Sequence, residues 1–176
     1  MKFKYSILIL SLILLYHNAN AQHKKVKNTP NIDRLEGLYG ERMVNASDRK
    51  DWLNFGKYYA LYYATAYSRS IYHINNFSWS IVEHVTDPKV LEIAVKTMKY
   101  DIEHFDQNSV QAYDTYACLF YKTGRKQEAL KWEEKAVKVE QERASKENRK
   151  PDPLFAETLE KMKAGTLTWV VEDTKD

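Results

Sequence analysis

One thiol, two histidine-carboxylate groupings and a run of tyrosines are the residues of this chain whose types could do chemistry. Cys118 is the single cysteine among 176 residues, so it has no internal disulfide partner. A reactive thiol needs a neighbouring cation or a helix amino terminus to favour its thiolate. Cys118 instead sits inside the apolar stretch Tyr116-Ala117-Cys118-Leu119-Phe120, in the middle of a helical pattern. His84 follows Glu83, and His104 follows Glu103 near Asp106. Adjacent helix positions point about 100° apart, so neither Glu-His pair converges on one ion. The spacings match none of the usual zinc patterns, and Asp101 and Glu103 are no acid-base pair by spacing. Tyr58-Tyr59-Ala60-Leu61-Tyr62-Tyr63 is apolar or aromatic around most of a helix. Such a run either stacks sugars or peptides, forms an unrecognised enzyme site, or lies covered on both faces with its hydroxyls bonded. The expectation is a non-catalytic protein with no cofactor and no metal.

The elements that must position these residues begin after a targeting segment. Lys2 and Lys4 precede the apolar run from Tyr5 to Tyr16, and Ala19-Asn20-Ala21 is a small-x-small site before Gln22. This pattern predicts a signal peptide over residues 1–21, an exported chain in the periplasm or outside the cell, and no membrane span after cleavage. Of 27 basic side chains, Lys2 and Lys4 are removed with the signal peptide, which leaves the rest close to balance with 24 acidic ones. Near neutrality weighs against a nucleic-acid partner, which needs a basic stripe left over after the acids are counted. Residues 22–31 are polar and lysine-rich, with Thr29-Pro30 breaking any helix, and read as a flexible leader.

From Ile32 onward the periodicity is helical. Leu35 and Leu38 open a first helix that Gly37 and Gly40 should limit. Ser47 or Asp48 is placed to cap a second, with Trp52, Phe55, Tyr59, Tyr62, Tyr63 and Ala66 recurring at steps of three and four up to about Tyr72. Asp87-Pro88 starts another, the aspartate as cap and the proline in the first turn, with Leu91, Ala94, Val95, Met98 and Ile102 as its buried stripe. Ser109 caps the next. Lys131 to Lys150 alternates in charge, as an exposed helix laced with ion pairs does. A last helix opens at Asp152-Pro153 and closes at Gly165, with Leu154, Phe155, Leu159 and Met162 facing inward.

Residues 109–139 form the most telling unit. Tyr113, Tyr116, Ala117 and Phe120 fall where a first helix turns inward, Gly124 follows the turn, and Ala129 and Ala136 are small residues that let two helices touch. This resembles one helix-turn-helix repeat of the tetratricopeptide type. Setting Ala94 on Ala129, a shift of 35 residues, aligns a degenerate unit over residues 75–108, with Ile81, Val82 and Val85 opposite Tyr116, Ala117 and Phe120. Asp101 stands where such a repeat carries a small residue, and Glu133 where it carries an aromatic, a role that Trp132 takes one step away. The resemblance implies an all-α fold over residues 32–176: a short right-handed α-α superhelix of about six helices with a C-terminal capping helix.

A narrower likeness rests on Asn76-Phe77-Ser78-Trp79, Asp114-Thr115-Tyr116-Ala117, Lys122-Thr123-Gly124-Arg125-Lys126-Gln127-Glu128-Ala129 and Glu157 to Gly165. From Leu61 to Trp169 the chain looks like the helical segment that accompanies thioredoxin-like domains in some exported bacterial proteins. It has no Cys-x-x-Cys and no alternating strand and helix pattern, so dithiol exchange does not carry over. The repeat resemblance implies a concave surface lined by Asn76, Trp79, Glu83 and Thr86 from the degenerate unit, and by Gln111, Asp114, Cys118 and Tyr121 from the clear one. That surface would hold a protein or peptide of the cell envelope. The alternative is a redox-associated helper, or remnant of a thioredoxin-like protein, that docks a separate redox partner. Stacking of exposed helix edges would allow a homodimer.

Overall fold

The computed structural model describes residues 32–65 and 74–169. The expected signal peptide, the leader and the continuation of the tyrosine-rich helix to Tyr72 lie outside the described residues. Within them the chain is all-helical, with seven helices and no strand. They are α1 (Ile32–Asp48), α2 (Trp52–Thr65), α3 (Ile74–His84), α4 (Pro88–His104), α5 (Val110–Lys122), α6 (Lys126–Lys146) and α7 (Pro153–Ala164).

The first helix is longer than the sequence suggests. Both glycines lie inside α1, which continues through Ser47 and Asp48, because Met43 and Ala46 are buried in the core and packing outweighs a penalty of about 1 kcal/mol per glycine. The cap of α2 therefore falls to Asp51, whose Oδ1 accepts from the Asn54 N–H at 3.1 Å. An added Cβ at Gly37 would meet no atom within 4 Å. A Gly37→Ala chain should accordingly be more stable by about 0.5 to 1 kcal/mol, since alanine loses less entropy on entering a helix; a lower denaturation midpoint would contradict the placement of this residue inside α1.

The other boundaries follow local chemistry. Asp87 caps α4 through the Lys89 N–H (2.8 Å), Ser109 caps α5 through the Ala112 N–H (3.2 Å), and Asp152 caps α7 through the Leu154 N–H (3.0 Å). Gly124 and Gly165 turn the chain with φ of 79° each, the left-handed conformation that glycine adopts without strain. Within α7, Phe155, Leu159 and Met162 are buried, whereas Leu154 is exposed. Leu154 lies in the first turn just after the cap, ahead of the stripe that meets α6.

Consecutive helices pair, α1 with α2, α3 with α4, and α5 with α6. The pairs stack because α2 also meets α3 and α4, and α5 meets both α3 and α4. α7 lies on α6. Their junction is held by Glu140, a buried carboxylate that receives Arg149 Nη1 at 2.6 Å and the Asp152 N–H at 2.8 Å. No described helix is long and apolar enough to cross a membrane.

Candidate functional site

Every residue of α5 from Ala112 to Phe120 is buried. This burial follows from the position of α5 between α6 on one side and α3 and α4 on the other. Ala129 and Ala136 of α6 are fully buried at the contact, and the Trp132 ring meets Tyr116 at 5.0 Å and Tyr113 at 5.5 Å. Trp132 thus supplies the aromatic surface expected beside Glu133.

Glu133 itself turns inward and is fully buried, facing Asp114 of α5. As two carboxylates they offer each other only acceptors, and Asp114 Oδ1 and both Glu133 oxygens then have no donor. A single shared proton resolves this. Burial, then the negative charge of Asp114, pushes the Glu133 carboxyl up to about 9. Burial raises Asp114 to about 6, partly offset by the hydrogen bond it receives from Glu133. Asp101 of α4 is also fully buried, with burial first and Asp106 second raising its carboxyl to about 7.

One helical turn after Asp114 lies Cys118, fully buried, with Sγ 3.3 Å from the Thr168 hydroxyl. Thr168 belongs to the segment after α7, which passes over α5. Its neighbour Trp169 packs edge-on to Tyr121, ring centres 6.4 Å apart, and lies under the Lys122 ammonium, 4.8 Å from the indole centre. Burial and the charge of Asp114 push the Cys118 thiol well up, which disfavours the thiolate needed for exchange chemistry. Lys122 donates to the Val82 carbonyl of α3, and burial lowers its ammonium to about 8.

No family model, curated protein or solved structure matches this chain.

The eight expected lining residues fall in several different environments. Cys118 and Tyr121 lie together under the C-terminal segment. Thr86 lines, with Lys122, Thr123 and Arg125, a cavity of about 480 Å³ beside that segment. Trp79 is half-buried against the core, Glu83 is half-buried with its carboxylate 3.7 Å from His84 Nε2, and Asn76 and Gln111 are exposed. Asp114 departs from an open lining position, because its carboxyl is turned into the α5–α6 contact.

Other candidates have structural partners. His84 stacks on Trp52 at 3.7 Å and His104 on Tyr100 at 4.1 Å, and among the described residues no group of three or more His, Cys, Asp or Glu is placed to hold a metal. Tyr59 is fully buried with its hydroxyl 2.7 Å from Ser78 Oγ, and Tyr63 is buried beside it. Three residues of the site carried no binding signal in the sequence: Lys122 and Arg125 flank the turn at Gly124, and Trp169 lies beyond the last periodic helix.

Proposed function

We propose that this chain is an exported, non-catalytic module that binds extended protein segments along α5, in a short tetratricopeptide-like superhelix. One observation carries the reading. The chain lays its own Thr168 and Trp169 across α5, on Cys118, Tyr121 and Lys122. A surface that accepts a non-helical stretch in cis has the chemistry to accept a segment from a partner. The stacking of consecutive helix pairs supports the superhelix, and the basic start, apolar run and Ala19-Asn20-Ala21 site support export.

Cys118 provides a direct report on this face. In the native chain its reaction with a thiol reagent should be slow; in a Trp169→Ala chain that melts cooperatively it should be at least about tenfold faster, because the segment that lays Thr168 on Cys118 loses its indole anchor on Tyr121 and Lys122. The Trp169→Ala chain should also capture an envelope protein that the parent retains poorly and that a Trp169→Ala, Tyr121→Ala chain does not retain. Unchanged labelling together with equal capture by all three would remove α5 as the binding surface.

A further inference from the structure

The cavity beside Lys122 extends the surface on which Trp169 sits. Lys122 belongs to both, with its ammonium over the indole and its side chain on the cavity wall. Arg125 lines the cavity, its guanidinium held by Glu92 at 2.8 Å and by Thr123 Oγ1 at 3.0 Å. Thr86 and Thr123 bring hydroxyls, and Leu91 an apolar wall. A guanidinium has five N–H donors and an ammonium three. Glu92 and Thr123 take two of the first set, and the Val82 carbonyl one of the second. The two cations face one carboxylate, Glu92, so the lining carries an excess of positive charge in a partly desolvated setting, where a hydrogen-bonded carboxylate is held more strongly than at an open surface.

We infer that this cavity is the carboxylate subsite of the α5 surface, and that its occupant is a partner segment with an aromatic residue followed three or four positions later by acidic ones. This rests on the binding reading above. An extended chain advances about 3.3 Å per residue, so a segment whose aromatic ring takes the place of Trp169 can carry its third and fourth following residues roughly 10 to 13 Å from that ring, a span comparable to the size of the cavity whose wall Lys122 also forms. The chain's own sequence has that pattern, Trp169-Val170-Val171-Glu172-Asp173. The lowered affinity of Lys122 for its proton, caused by burial, is relieved when a carboxylate enters beside it.

The test uses the full Trp169→Ala chain, in which the resident indole is removed, and a labelled peptide of the sequence of residues 166–176. The peptide should bind and slow thiol labelling of Cys118. A peptide with glutamine and asparagine in place of its two acids should bind at least about tenfold more weakly, and that gap should shrink in 0.5 M salt as the charges are screened. Arg125→Gln and Lys122→Met, each added to the Trp169→Ala chain, should erase the difference between the two peptides. Equal binding of both peptides overturns the carboxylate subsite and leaves the α5 surface standing. A difference that persists in both added variants places the acids elsewhere and overturns it as well. No binding of either peptide, with Cys118 labelling unchanged by Trp169→Ala, removes the binding reading itself.

Discussion

A Glu133→Gln chain is expected to melt higher than the parent at pH 8, by an amount on the order of 2 kcal/mol, and to lose most of the parent's fall in stability between pH 5 and pH 9. The sign follows from the direction of the shift. In the unfolded chain Glu133 gives up its proton near the ordinary carboxylate value of 4.5, while in the folded chain burial beside Asp114 holds it up to about 9. Its contribution is therefore complete below about 4.5 and is lost as pH rises through about 9. Asp114 and Asp101 are also raised, by burial first, and act in the same direction at lower pH. Asp51, Glu140 and Glu147 are lowered, chiefly by hydrogen bonds from Asn54, Arg149 and Arg149. Their contribution is lost only as pH falls below the ordinary range, outside this window. Glutamine removes the proton-dependent charge and offers Asp114 an N–H donor in place of the O–H of protonated Glu133. Thermal melts of both chains at four pH values decide it; a parent curve that is flat, or a variant curve equally steep, would refute the buried pair.

The second large effect is expected at Tyr59. Tyr59→Ala should cost about 4 kcal/mol, because it opens a cavity where a fully buried ring lies between Phe55 and Tyr63. Tyr59→Phe should cost about 1 kcal/mol, the loss of its bond to the Ser78 hydroxyl. Chemical denaturation of the two variants beside the parent measures both. A sugar-stacking surface would behave differently, since an exposed ring can be shortened with little change in stability. Near-neutral stability of Tyr59→Ala would return the tyrosine run to the list of candidate surfaces.

The helical content was legible because it is written locally. The cap-proline pairs Asp87-Pro88 and Asp152-Pro153, the Ser109 cap and the turn glycines Gly124 and Gly165 act within one turn of their own positions. The stripe Leu91, Ala94, Val95, Met98 and Ile102 is buried as its spacing requires. Where locality failed, distant packing had overruled it: α1 runs through two glycines because Met43 and Ala46 are held in the core.

The site was legible only in part. Cys118 and Tyr121 could be placed near one another on α5 by register, since both belong to one helix. Nothing in the local pattern says that Thr168 and Trp169, about fifty residues later, come to rest on them. The same holds for Thr86, which reaches the cavity of Lys122 and Arg125 only because α3, α4 and α5 stack.

By itself, then, the sequence determined the all-helical character of the described residues, their main turns and their apolar stripes, because capping, backbone preference and periodicity are properties of neighbouring residues. Tertiary structure decided that Asp114 and Glu133 share an enclosed contact and that the C-terminal segment covers Cys118. It also set two cations at one cavity. Those features depend on which faces meet after stacking, and the cost of desolvating a charge appears only once the meeting face is known.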